Sequence, residues 1–251
     1  MSTPAREAAA TRPALVLLPG TLCDDTLWEP MLGLRPALRA RASARSYASA
    51  RSAREAAHAL LPHLPARFAV LGFSLGGFVA LELAHAAPGR VAGLALVATN
   101  ARADITGNAA RRRAAVAAAR ERGLGNYVRE QLWPQYVAPS RLHDDALAAP
   151  VIAMAERAGF DTFEAQTEIA ISRADSLTRL AAMRMPSLIV SGRHDVINPA
   201  DRQQELHAGL PGSVWRVCET AGHFVPLEAP AELADFVETW LARVDAAVAR
   251  I

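Results

Sequence analysis

Three residues far apart in the chain have the types and settings that acyl transfer needs. Ser74 lies in Gly72-Phe73-Ser74-Leu75-Gly76-Gly77, between an apolar run at 67–71 and a helix-forming stretch at 75–87. A G-x-S-x-G at a strand-to-helix turn bends the chain too sharply for a Cβ on either side, and it lifts the serine hydroxyl clear of the sheet. A serine hydroxyl is a poor nucleophile until a base takes its proton. Of the seven histidines, His58, His85 and His207 fall within predicted helices, His63 sits beside prolines, and His143 belongs to a long helical segment. His223 is placed differently: Ala221-Gly222-His223-Phe224 follows the last predicted strand and precedes the final helix, on the edge where ligands collect in open α/β sheets. The acid that orients it is read as Asp195, just past the apolar run 187–191 in Gly192-Arg193-His194-Asp195-Val196-Ile197-Asn198-Pro199. Asp201 is the alternative, but it falls in the first turn of a helix, where an acid stabilises the macrodipole for no catalytic reason. The chemistry implied is attack by Ser74 on an ester, thioester or lactone carbonyl, with His223 as general base.

The elements that must position these residues are legible as runs and breaks. Apolar runs at 14–18, 67–71, 91–98 and 187–191 read as strands buried on both faces, the mark of a parallel sheet. Residues 213–218 alternate and fit an edge strand, and 42–47 is a weaker sixth candidate. Helical segments are expected near 27–38, 52–63, 75–87, 199–208 and 230–247. Strands alternating with helices of these lengths argue for an α/β three-layer sandwich, a mostly parallel sheet of about six strands flanked by helices. From 101 to 182 the rhythm breaks. No convincing strand occurs there, and four helices are expected at 108–121, 125–137, 143–157 and 161–173. This all-helical segment, inserted after the fourth strand, is read as a cap on one end of the sheet within a single domain spanning 1–251.

Composition narrows the classes. A formal charge of +2 is too small to imply nucleic acid as a partner. No run of 18 or more consecutive apolar residues is present, so no membrane span is expected. The N-terminal stretch mixes both charge signs and does not read as a secretory signal, and Cys23 and Cys218 form no disulfide framework. A cytoplasmic protein acting on a small-molecule substrate is the expectation. No cluster with metal-ligand spacing and no G-x-G-x-x-G after the first strand is visible, so no cofactor is expected. The chain contains no lysine, so arginine alone carries fixed positive charge; Arg111-Arg112-Arg113 could face an anionic substrate, but is read as a solvated helix face.

Four segments carry a family resemblance: the opening LVLLPGTLCDDTLW, the elbow GFSLGG, the strand and loop LIVSGRHDVINP, and AGHFVPLEAP. Together, in the order Ser, Asp, His, they resemble the α/β-hydrolase superfamily over nearly the whole chain outside the insertion. The closest likeness is to small capped carboxylesterases and lactonases, with a similar likeness to the esterase that demethylates a pimeloyl carrier-protein ester and to C–C hydrolases. In such enzymes a His-Gly-x loop after the first long strand supplies an oxyanion donor from the N–H of x. Pro19-Gly20-Thr21 stands there in this chain, so the resemblance implies Thr21 N–H and Leu75 N–H as the oxyanion pair, with Leu22 as a substitute for Thr21 if the loop is shifted. Expected substrate contacts are Leu22, Trp133, Phe160 and Phe224, in an apolar pocket with few charges. Dehalogenases and epoxide hydrolases of this fold carry aspartate where Ser74 stands. The rivals that remain are C–C bond hydrolysis of a diketone, proton abstraction without acylation, and a non-catalytic small-molecule receptor. Family members often begin with a hairpin; residues 1–12 hold no alternating apolar stretch, and none is expected.

Overall fold

The computed structural model describes residues 12–250. The N-terminal expectation of a missing hairpin therefore falls, apart from its last position, outside the described residues. Six strands form one sheet: β1 (Ala14–Leu18), β2 (Ala42–Ala44), β3 (Phe68–Phe73), β4 (Val91–Val97), β5 (Ser187–Gly192) and β6 (Val214–Cys218). Their order is β2-β1-β3-β4-β5-β6, and every neighbouring pair is parallel. The two strands with the weakest sequence signals, β2 and β6, are the two edges.

Period-2 alternation explains why the inner strands read as continuous apolar runs. Leu15 and Leu17 of β1, Leu71 and Phe73 of β3, and Val97 of β4 face one core. Val16, Leu18, Val70, Leu94, Leu96 and Ile189 face the other. The first core is closed by helix α6 (Pro230–Val248) through Leu233, Val237, Trp240 and Leu241. The second is closed by α1 (Ala53–Leu60), α2 (Leu75–Ala86) and α5 (Ala200–Gly209). A strand covered on both faces has no polar side to alternate with.

The helix expected over 27–38 is instead three short turns, Asp25–Trp28, Glu29–Gly33 and Pro36–Arg39. Pro36 is the reason for the last break: it opens a turn and holds Arg35 out of helical geometry. Between β4 and β5 the described chain is helical without a strand. It comprises α3 (Asn108–Arg122), a continuous helical stretch over 124–136 that is π-helical at Val128–Leu132, and α4 (Asp145–Ser172). The two helices expected at 143–157 and 161–173 are the two arms of α4, broken at Gly159, whose φ of 75° interrupts the helical backbone. This insertion shares the first core with the sheet: Val116, Tyr127, Trp133 and Phe163 belong to the same buried cluster as Phe73 and Phe224. Among the described residues no helix is long and apolar enough to cross a membrane.

The strand order sets where a site can form. From β1 the chain moves outward to β2, then returns to the other side of β1 to form β3. The loops leaving β1 and β3 therefore diverge, and a crevice opens at the carboxyl ends of these two strands.

Candidate active site

Ser74 stands at that crevice with φ 51° and ψ −114°, a left-handed conformation that L side chains rarely adopt. The turn is held from three sides. Ser74 N–H donates to Val97 O (2.9 Å), Gly77 N–H donates to Ser74 O (2.9 Å), and Thr99 Oγ1 donates to the same carbonyl (2.7 Å). A Cβ on Gly72 would collide with the backbone of Gly76, and a Cβ on Gly76 with the backbone of Leu18 and Pro19, so the turn closes on the helix and packs against the end of β1 only with glycine at both positions.

Two further loops bring groups to the serine hydroxyl. His223 Nε2 lies 2.9 Å from Ser74 Oγ, and His223 Nδ1 lies 2.9 Å from Asp195 Oδ2. Asp195 has its other oxygen occupied: Oδ1 accepts from Ile197 N (2.8 Å) and Asn198 N (2.9 Å), a local turn that fixes the carboxylate's direction. Asn198 is itself tied by Nδ2 to Ala98 O (2.8 Å) and accepts from Asn100 Nδ2 (2.6 Å). The Asp195 and His223 loops touch along their backbones, since a Cβ on Gly192 would collide with Gly222 O. Asp201, the alternative acid, is exposed and pairs with its neighbour Arg202 (3.3 Å).

The insertion fastens the histidine loop. Tyr136 O accepts from both His223 N (2.8 Å) and Phe224 N (3.0 Å), and the Tyr136 ring lies near-parallel to the imidazole at 6.0 Å. Glu228 accepts from Gly222 N (2.9 Å) and from Ala138 N (2.7 Å), the latter 90 residues away in sequence. Burial pushes its carboxyl above the usual range, against those two N–H bonds and the nearby positive charges.

The loop after β1 is held by the insertion too. Leu22, with φ 58°, gives its N–H to Gln166 Oε1 of α4 (2.7 Å), and Cys23 N–H goes to Gly20 O (3.2 Å). Thr21 lines the cavity, and its N–H has no partner among the described residues. Tyr47 Oη donates to Pro19 O from behind. Leu75 is the first residue of α2, so its N–H belongs to the helix-start donors without an intrahelical partner.

These groups open on a cavity of about 570 Å³. Of the expected substrate contacts, Phe224 lines it and three others do not. Leu22 is buried in the core and its N–H is committed to Gln166. Trp133 is buried in the insertion with its Nε1 on Leu142 O (2.9 Å). Phe160 packs under the Arg120 guanidinium at 5.2 Å. Tyr127, Leu132, Tyr136 and Phe163 supply the apolar wall instead. The expectation of few charges is overturned, because Arg102, Arg111, Arg112, Arg173 and Arg202 all line the cavity. Arg111 and Arg112, read from sequence as a solvated face, line its rim where α3 begins, Arg111 exposed and Arg112 half-buried.

Sequence reasoning passed over Gln166, Tyr136 and Asn198. Two act through single polar atoms on distant backbone groups, which leave no pattern in the chain. Only Asn198, three residues after Asp195 and just before a proline, carries a local turn signal. Both cysteines are buried, and burial raises the Cys23 thiol far above its ordinary value and Cys218 to about 12. Among the described residues no group of three or more His, Cys, Asp or Glu is arranged to hold a metal ion.

A strained serine at a strand-to-helix turn, beside a histidine and an aspartate in the order Ser, Asp, His, on a parallel sheet, narrows the choice to one architecture. The model of the Alpha/beta hydrolase family matches residues 15–236. The chain belongs to that family. Among curated hydrolases of known description, the pimeloyl-[acyl-carrier protein] methyl ester esterase of Neisseria meningitidis serogroup C is 31% identical over 191 residues, covering 73% of this chain and 74% of that protein. The biotin biosynthesis bifunctional protein BioHC of Cellvibrio japonicus is 36% identical over 99 residues, 37% of this chain and only 20% of that longer protein. Among solved hydrolase structures, a thermophilic esterase from Thermogutta terrifontis superposes with a TM-score of 0.81 at 23% identity, covering 93% of this chain and 90% of that one, a likeness of fold.

Proposed function

We propose that the protein is a serine hydrolase that cleaves a carboxylic ester, or a related thioester or lactone, through an acyl-enzyme. The observation that carries this reading is the continuous hydrogen-bonded line from Ser74 Oγ through His223 to Asp195, with both contacts at 2.9 Å. Asp195 orients the ring so that Nδ1 carries the proton and Nε2 is free to act as base. His223 takes the hydroxyl proton as Ser74 Oγ adds to the carbonyl carbon. The negative oxygen that forms is held by the N–H groups of Thr21 and Leu75, two donors of the kind typically worth about 3 kcal/mol each in the transition state. His223 then returns the proton to the leaving oxygen or sulfur as that bond breaks. Water repeats the sequence on the acyl group, releasing the acid and restoring Ser74. The 101–182 segment acts as a cap over this chemistry, and it carries the residues that fasten both the histidine loop and the oxyanion loop. No cofactor enters any of these steps, and a cytoplasmic location suits two free, buried cysteines.

Hydrolysis of a p-nitrophenyl ester series of short to medium acyl length, by wild type and Ser74→Ala, tests the reading. Turnover by wild type and a loss of about a thousandfold or more in Ser74→Ala is the expected outcome. Absence of turnover of every ester by wild type would contradict it and bring C–C hydrolysis or a receptor role forward.

A further inference from the structure

The cavity wall holds more positive charge than an ester pocket needs. Five guanidinium groups line it, and Asp104 is the only carboxylate among its lining residues. Arg102 and Arg202 are answered from outside by Glu205, which both reach, and by Asp201 beside Arg202. The other three are not answered in full. Asp104 is gripped from two sides, by Arg112 through Nε and Nη2 (2.7 and 2.9 Å) and by Arg173 (3.1 Å). Burial works against its charge, but hydrogen bonds from Arg112 and Asn108 and the charges of Arg112 and Arg173 hold it at about 2. One carboxylate thus serves two arginines. Arg173 is the structural partner: its side chain is nearly buried, lies over the Phe78 ring at 4.9 Å, and donates to Ala170 O and Arg102 O. Arg112 is half-exposed among the cavity-lining residues, and its Nη1 is not used by Asp104. Arg111 has no acidic partner among the described residues. Its Nε donates to Asn108 Oδ1 (2.8 Å), and its two Nη groups remain open.

Arginine is abundant everywhere on this chain, so its neighbours matter. Arg113, the next residue on α3, lies outside this cavity and is closed by a bidentate pair with Glu168 (2.8 and 2.9 Å). Arg111 lines the cavity without such closure, and the carboxylate that closes Arg112 is one it shares with Arg173. Arg111 and Arg112 both lie on the segment that leaves β4, whereas Thr21 lies on the loop that leaves β1, and these two strands flank β3, which leads into Ser74.

We propose that the substrate carries an anionic group remote from the scissile carbonyl, a carboxylate or other oxyanion, bound by the open guanidinium donors of Arg111 and Arg112. This rests on the hydrolase reading for the ester end of the substrate, and on the arginine wall for the anionic end. A planar guanidinium presents paired donors that match an oxyanion, and both partners lose less to water in a partly enclosed cavity than on an open surface. Recognition selects by charge, and it weakens with salt.

Two matched pairs of esters test it at low and moderate salt. Mono-p-nitrophenyl adipate against p-nitrophenyl hexanoate places the charge on the acyl side. The hexanoate ester of 4-hydroxybenzoate against that of methyl 4-hydroxybenzoate places it on the leaving side. The expected result is a preference in kcat/KM for the charged member of at least one pair. That ratio should fall by about tenfold or more in Arg111→Gln, the scale of a lost charge-assisted hydrogen bond, and stay at the wild-type value in Arg113→Gln. A preference for the neutral member of both pairs, or a ratio indifferent to Arg111→Gln, overturns the proposal. Calorimetric titration of Ser74→Ala with monomethyl and dimethyl adipate separates the two readings, since it needs no turnover. Binding of the monoester alone, lost in the Ser74→Ala, Arg111→Gln double variant, supports the anion site even if no ester is hydrolysed. Equal binding of both esters, or of neither, overturns it.

Discussion

Leu22 and Gln166 meet at the loop after β1, and the contact commits the Leu22 N–H to a side chain of the insertion. Leu22 holds a left-handed backbone at φ 58°, which costs a non-glycine residue about 1 kcal/mol, and its N–H is directed to Gln166 Oε1 rather than to the cavity. Gln166 is buried, so the bond is shielded from water and fixes the loop that presents Thr21. Gln166→Ala should leave the fold intact but lower kcat by about tenfold or more, with a smaller change in KM, because the loss is one of orientation rather than of substrate contact. Steady-state kinetics with a p-nitrophenyl ester reads this directly. A variant with unchanged kcat would remove Gln166 from the account. Ser74, His223 and Asp195 could be picked out in the chain because each sits in a local motif at a strand end. Gln166 could not be, because it works through one amide oxygen on a partner 144 residues away.

At the scale of elements, the insertion reaches the site at two loops, the one after β1 and the one that carries His223. Residues 136 and 138 hold the histidine loop, through Tyr136 O and through the shared carboxylate of Glu228. Glu228→Ala leaves the N–H groups of Ala138 and Gly222 without that acceptor, at roughly 1–3 kcal/mol each if they stay buried. The expected outcome is a fall in stability of about 2 kcal/mol or more in urea denaturation, together with reduced kcat as His223 loses its anchorage. Full activity in this variant would show that Tyr136 O alone suffices. Where the insertion leaves β4, Asp104 binds Arg112 and Arg173, and its pKa is depressed from 3.8 to about 2. A depressed acid stabilises the fold above its ordinary pKa, and that contribution is lost as pH falls from about 4 toward 2. Wild type should therefore lose stability across that window more steeply than Asp104→Asn, as measured by thermal unfolding against pH; parallel curves would contradict it. The number and span of the insertion's helices were legible from glycine and proline breaks, including the interruption at Gly159. Which helical faces meet the cavity was not, because charge and alanine recur around every turn of α3 and no single stripe marks its inner side.

For the molecule as a whole, one structural decision places the chemistry. The chain reverses direction of travel at β1, so the loops after β1 and β3 open beside each other while those after β5 and β6 close from the far side. Doubly buried strands and the intervening helices made the sheet readable in advance, and with it the edge on which Ser74, Asp195 and His223 would gather. Pocket lining was the weakest part of that reading, since Trp133 and Phe160 are absorbed by packing within the insertion and arginines take their place at the wall. The central claim is that this convergence activates Ser74 and no other residue. Labelling with a fluorophosphonate, followed by peptide mapping, tests it most directly. A single phosphonyl adduct on Ser74, abolished in Ser74→Ala and strongly slowed in His223→Ala, is the predicted result. An adduct elsewhere, or labelling of Ser74 at the same rate without His223, would contradict it.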